Sequence, residues 1–321
     1  MQQSDAWEKH SHELDRAWDH LETQMLVPAR AFQQHALSGI ASDRVFYPFS
    51  GPDSLMATTF FPQAHVYVMV GLEPAGTLPD TKHLAHRDLA VFLARERTTM
   101  SSVLGRSFFV TRQMDRQFRG QVTDGLFQPI LHLLVRTGHT ILGFRYVRLD
   151  DSGALIERAA DYHAPGIIGN KGIEIDFRTA AGGPVQKLIY LSVNLSNDRL
   201  RDNRPFLTFV SGLKGTATLL KATSYMLHRQ DFSIVRDQVL TNSAAVLQDD
   251  SGIPYHFWAS PAWRVQLYGD YVRPYGSFRW LEQPDLRQAY RTTASQPLAF
   301  RIGYGYGRVP SNLLLAVRIQ Q

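Results

Sequence analysis

Three short tracts bring together side chains that can do chemistry. The first holds Ser50, Gly51 and Asp53, with Glu73 placed 22 residues after Gly51. Glycine lets a backbone come close to a ligand, a helix start offers unpaired N–H groups, and a carboxylate at a strand end can accept from ribose hydroxyls. These four are the candidates for holding a cofactor. The second tract is Lys221, Ser224, Tyr225 and His228, three, four and seven residues apart. On a helix they share one edge and, set among Leu219, Leu220, Met226 and Leu227, can line a cleft as proton donors and acceptors. The third is Asp249-Asp250 ahead of Ser251-Gly252, adjacent carboxylates able to bind a divalent cation or to split their pKa values for acid–base work. Lys221, Tyr225, His228, Asp249 and Asp250 are the catalytic candidates, and no metal centre is expected. Each tract also has a plainer account: Asp53 as a helix N-cap, residues 221–228 as the polar edge of a packed helix, and Asp-Ser-Gly as turn chemistry.

The elements that must position these groups follow from patterning. Val45–Phe49 and His65–Gly71 are short apolar runs that read as strands, and Ser54–Phe61 between them is a helix ended by Pro62. Strand, glycine-bearing turn, helix and strand make one βαβ unit with parallel strands. Helices are expected over Leu84–Arg97, Phe108–Phe118 and Gly125–Thr137, then a strand over Ile141–Leu149 that turns at Asp150–Gly153 into an antiparallel partner, Ala154–Arg158. A second hairpin pairs Gly172–Arg178 with Gln186–Asn194. Helices follow over Phe206–Leu213, Ala217–His228 and Phe232–Val246. The tail offers strands over Trp263–Tyr268, Pro297–Ile302 and Asn312–Ile319, with a helix over Asp285–Arg291. At the start, Trp7, Leu14, Trp18, Leu21 and Met25 form one stripe of an amphipathic helix, with His10, His12 and His20 read as surface residues.

Residues 45–76 resemble the cofactor corner of Rossmann-like S-adenosylmethionine methyltransferases. That likeness implies a sheet with ligands at the carboxyl ends of its parallel strands, Ser50 and Gly51 against the cofactor, and Glu73 on its ribose. The expected fold is therefore α/β: a Rossmann-like mixed sheet with antiparallel hairpin additions and an N-terminal helix. Residues 1–40 form a helical segment and 41–321 one domain. A weak internal duplication of 45–150 and 185–270 is suggested by Ser107–Gln113 matching Ser224–Gln230 and by Asp-Asp-Ser-Gly at 150–153 and 249–252. A Tyr/Lys pair four apart also resembles short-chain dehydrogenases, but there tyrosine precedes lysine, and the reversed order here excludes that family. More widely, Tyr47–Asp53, Gly71–Pro74, Ser224–His228 and Asp249–Pro254 resemble an uncharacterised bacterial group, many of whose members carry export signals. That likeness implies a periplasmic or envelope setting.

Composition narrows the rest. No apolar run nears the ~18 residues that cross a bilayer. The 34 basic and 29 acidic residues give only +5, spread along the chain, which argues against nucleic acid. The densest basic tract is Arg106, Arg112, Arg116 and Arg119, read as a solvated helical face. No cysteine is present, so disulfides and thiolate chemistry are excluded, and the lack also suits life outside the cytosol. The first residues carry neither the charged nor the apolar part of a secretory leader, which leaves a cytoplasmic protein or one with its leader removed. The functional expectation is a small-molecule-binding enzyme or enzyme-derived protein, its cofactor S-adenosylmethionine or another nucleotide-like ligand. The alternative is a non-catalytic envelope protein that binds through the aromatics of its tail, from Tyr255 to Trp280, with the Gly303–Arg308 loop allowing close approach.

Overall fold

The computed structural model describes residues 5–78, 90–94, 96–97, 100, 104, 125–159, 170–180, 182–274, 276–305 and 311–319. The basic tract at 106–119, the expected helix over Phe108–Phe118, the first copy of the short repeat and half of Leu84–Arg97 lie outside the described residues.

Strands β1 (Arg44–Pro48) and β2 (Val66–Gly71) pair in parallel, Phe46 against Val68. Both are almost wholly buried, which is why they read as unbroken apolar runs: a central parallel strand is covered on both faces. Helix α3 (Ser54–Phe60) joins them. Beyond β2 lies β6 (Gln186–Ser192), also parallel; beyond β1 lie β7 (Thr216–Leu220) and β8 (Ser243–Gln248), parallel again. The chain thus leaves β1 in one direction, to β2 and β6, and returns on the other side to β7 and β8. Antiparallel strands extend both edges. On one side stand β5 (Lys171–Thr179), β3 (His139–Leu149) and β4 (Leu155–Glu157); on the other, β10 (Asn312–Arg318) and β9 (Trp263–Gly269). The result is a ten-stranded mixed sheet in the order β4-β3-β5-β6-β2-β1-β7-β8-β10-β9.

Helices cover both faces. One core lies between the sheet and α1 (Asp5–Leu21), α2 (Val27–Phe32), α3 and α4 (Phe127–Arg136), with Leu14, Trp18, Met25, Phe60, Tyr67 and Ile130 packed together. Wide turns at Glu22–Leu26 and Gln33–Leu37 carry the N-terminal helix on to residue 37, so the amphipathic stripe runs further than the spacing predicts. The opposite face packs α5 (Asn197–Leu200), α6 (Arg204–Ser211), α7 (Ser233–Asn242) and α8 (Pro284–Thr292) on Phe46, Val70, Leu220 and Val246. Among the described residues no helix is long and apolar enough to cross a membrane.

The hairpins β3/β4 and β5/β6 form as expected. Three assignments differ. Ala217–His228 is no helix: Thr216–Leu220 is the fully buried strand β7, and a short three-residue-per-turn segment follows at Met226–His228. Phe232–Val246 divides into α7 and β8. Pro297–Ile302 forms no strand, and only Gln296 bridges to Tyr268. Short runs buried on both faces have no period to distinguish helix from strand. His10 is also buried rather than on the surface, its ring Nδ1 bonded to the Leu93 carbonyl oxygen at 3.0 Å.

Candidate functional site at the carboxyl ends of the parallel strands

β1 ends in a tight turn. Phe49 and Gly51 both take positive φ, 61° and 52°, and the Ser50 hydroxyl folds inward to the Val70 and Gly51 carbonyls (3.2 and 3.0 Å). Asp53 then starts α3: one carboxylate oxygen accepts from the Met56 N–H at 3.2 Å. The other accepts from the Tyr47 hydroxyl at 2.9 Å and meets the Lys221 ammonium at 2.5 Å. Lys221 is the first residue after β7, so this pair ties the end of β1 to the end of β7. Both partners are buried, Asp53 at 3% and Lys221 at 4% exposure. The N-cap account of Asp53 is correct, and the ion pair adds to it.

After β7 the backbone is strained. Ala222, Ser224 and Tyr225 all have φ between 50° and 55°, a left-handed conformation that costs a non-glycine residue roughly 1–2 kcal/mol. A dense polar network holds them there. The Ala222 N–H donates to Asp249 (2.8 Å), the Thr223 N–H to the Ser251 hydroxyl (2.9 Å), and the Tyr225 hydroxyl to Asp250. Tyr304 donates to the Ala222 carbonyl (3.1 Å) and shares a hydrogen bond with Ser224 (2.6 Å). Asp249 also accepts from the Ser251 N–H and hydroxyl at 3.0 and 2.5 Å. Gly303, at φ 61°, lies so close that a Cβ there would stand 2.1 Å from Asp249. The glycine of that loop serves close approach to Asp249, an internal carboxylate.

The electrostatics follow from burial. Desolvation raises the Asp249 carboxyl, and desolvation joined by the adjacent Asp249 charge pushes Asp250 up to about 7. Burial and the neighbouring carboxylates also raise the hydroxyls of Tyr47 and Tyr225. His228 packs edge-on to Tyr225 at 5.1 Å, and burial depresses its ring to about 4. At neutral pH it is uncharged.

Glu73 occupies a different corner. It follows β2 by two residues and is half-buried, its carbonyl accepting from the Tyr190 hydroxyl at 2.8 Å. A Cβ on Gly71 would stand 2.6 Å from the Tyr190 hydroxyl, 3.0 Å from a Glu73 carboxylate oxygen and 3.4 Å from the Gly51 Cα. Gly71 thus leaves room for the Tyr190 hydroxyl, the acidic side chain and the first loop around the end of β2. The nine candidates therefore fall into two neighbouring groups: Gly51 and Glu73 at the β1–β2 end, and Lys221, Tyr225, His228, Asp249 and Asp250 at the β7–β8 end. Asp53 links them and Ser50 turns inward. The catalytic candidates gather on loops after β7 and β8, where the expected helical edge does not exist.

Sequence reasoning missed Tyr47, Ser251 and Asn312. Tyr47 was legible only as an apolar strand residue. Ser251 fits turn chemistry, and nothing local marks Asn312, which accepts from the Asp250 N–H at 3.0 Å across 62 residues of chain. Asn312 also lines a small cavity of about 10 Å³ with Asp250, Gln248, Tyr255, Tyr290 and Leu314. That is below the roughly 300–1,000 Å³ of ordinary ligand pockets. Among the described residues no group of three metal-ligating side chains converges. The tail aromatics mostly serve the core: Trp258 and Trp263 are buried and meet edge-on at 5.0 Å, while Trp280 is 71% exposed. Tyr275 lies outside the described residues. No family model, curated protein or solved structure matches this chain.

Proposed function

We propose that this chain is a Rossmann-like small-molecule-binding protein, an enzyme or derived from one, that takes a nucleoside-type ligand at the carboxyl ends of its parallel strands. The observation that carries the reading is the reversal of strand order between β1 and β7, with Gly51 and Glu73 both close to Gly71 at the end of β2. Numbered along the chain, the five parallel strands lie 3-2-1-4-5, the order of dinucleotide-binding folds, whose ligands sit at this reversal. Beyond β8 the reversed β10 stands between β8 and β9. A half-buried carboxylate just past β2 suits a ribose diol. Ser50, bonded to Val70, suits the cofactor less well than the local resemblance implies.

Thermal unfolding with S-adenosylmethionine is the first test. Ligand at 100 times its Kd stabilises a fold by about 2.7 kcal/mol, a shift of several degrees. An upward shift at millimolar ligand is expected, and Glu73→Ala abolishes it. No shift with S-adenosylmethionine, NAD or ATP, in a sample that unfolds cooperatively, sinks the proposal. A second reading, an envelope protein binding through its aromatic tail, draws on exposed Trp280; Trp280→Ala then abolishes retention on glycan without affecting nucleoside binding.

A further inference from the structure

We propose that the small cavity beside Asn312 is a binding site for a single water molecule, which accepts from the Asn312 side-chain amide and donates to the Asp250 carboxyl and the Tyr290 hydroxyl. The inference is independent of the nucleoside reading above.

The cavity lies where three elements meet. Asp249 and Asp250 come from the end of β8, Asn312 and Leu314 from β10, and Leu286 and Tyr290 from α8. Its volume of about 10 Å³ is roughly that of one water-sized probe. Most of its polar lining is engaged. Gln248 bonds both ways with the Ile253 backbone (2.7 and 2.9 Å), and Gln283 joins the Asp250 carbonyl to the Tyr255 N–H (3.0 and 2.8 Å). Asp249 accepts from Ala222 and Ser251. Asn312 is the exception. It is 3% exposed, and its Oδ1 accepts from the Asp250 N–H at 3.0 Å, which fixes the orientation of the amide. Its buried Nδ2 has no hydrogen-bond partner among the described residues. A group buried so deeply is almost always bonded, to protein or to ordered water.

The surroundings of Nδ2 select the occupant. An N–H donor needs an acceptor and disfavours a cation, while Asp250, 7% exposed, disfavours an anion. Water answers both, because it accepts and donates. Its two hydrogens also have takers. Asp250 receives the Tyr225 hydroxyl on one carboxylate oxygen, which leaves the second for the water. The Tyr290 hydroxyl donates to the Tyr268 carbonyl at 3.0 Å and keeps its lone pairs. Burial, and after it the Asp250 charge, raise that hydroxyl, as befits groups on one gap. Three hydrogen bonds are what buried waters ordinarily make. The same water serves either form of Asp250, donating to the carboxylate and accepting from the acid.

Two measurements on the whole chain test this: a crystal structure at a resolution that shows ordered water, and water-contact NMR on the Asn312 side-chain amide. One oxygen is expected within about 2.7–3.2 Å of both Asn312 Nδ2 and Asp250. A cross-peak from water to the Asn312 amide protons should carry the sign of a long-lived, buried molecule. In Asn312→Leu, of similar length but with no donor, the oxygen is expected to be lost. An empty gap, Asn312 Nδ2 bonded to a protein group, or an ion with the shorter contacts of a metal overturns the inference. An oxygen retained in Asn312→Leu also overturns it, because the amide then does not hold the water. Should that variant not fold, the wild-type density and cross-peak decide alone.

Discussion

At the scale of single residues, the sharpest feature is a pair of adjacent buried acids with one lysine near them. Asp249 is satisfied by backbone and hydroxyl donors, as an ionised carboxylate would be. Asp250 is the one burial and its neighbour push to about 7. The sign of its effect on stability follows. Its folded value lies above the ordinary 3.8, so between about pH 4 and 7 the native state holds a proton that the unfolded chain has released. Stability drawn from Asp250 is therefore greatest in acid and declines as pH rises to about 7. His228 acts oppositely: its ring is depressed from 6.5 to about 4, so its contribution is complete above 6.5 and is lost as pH falls. Asp250→Asn keeps an acceptor for Tyr225 and removes the titration. Urea unfolding of the two proteins across pH 4–8 should show the variant gaining on the wild type up to about pH 7 and holding a constant difference above it. A pH-independent difference would place the proton elsewhere.

At the scale of elements, Asp53 joins three of them: it caps α3, holds Tyr47 of β1 and faces Lys221 at the end of β7. Asp53→Ala should cost roughly 3–5 kcal/mol in chemical denaturation, because it removes the carboxylate that faces a buried ammonium. Helix capping alone is worth about 1 kcal/mol. The double variant Asp53→Asn with Lys221→Met removes both charges and should recover most of that loss; a double variant no more stable than the single one would refute the pairing. This junction shows how far local reading goes. Asp53 was legible as a cap because Ser-Gly-Pro-Asp precedes an apolar run. Its partner was not, since Lys221 lies 168 residues away on a segment whose pattern fits a helix as well as a strand. Thr216–Leu220 became a strand because its neighbours β1 and β8 supply both ladders.

At the scale of the molecule, the N-terminal helices are part of the core. Leu14, Trp18, Leu21, Met25 and Leu26 pack with residues of the sheet and of α3 and α4 in one cluster. Burying a side chain of this size contributes about 1.5–3 kcal/mol, and a domain's net stability is only about 5–15 kcal/mol. A chain lacking residues 1–37 should therefore lose cooperative unfolding and bind a hydrophobic dye, measured by calorimetry and dye fluorescence. A sharp transition within a few degrees of the full chain would show the segment to be an accessory.

The order of residues along the chain determined whatever depends on near neighbours. The βαβ start, both antiparallel hairpins, the amphipathic N-terminal stripe and the cap at Asp53 are set by turn chemistry, by side-chain period and by apolar runs of strand length. Tertiary structure decided which strands stand side by side, and with that which polar groups meet: Lys221 with Asp53, Tyr225 with Asp250, Gly303 against Asp249. These contacts span 25 to 168 residues. The physical reason is that strand pairing is chosen by the whole sheet's burial and hydrogen bonding, which no short window of sequence contains.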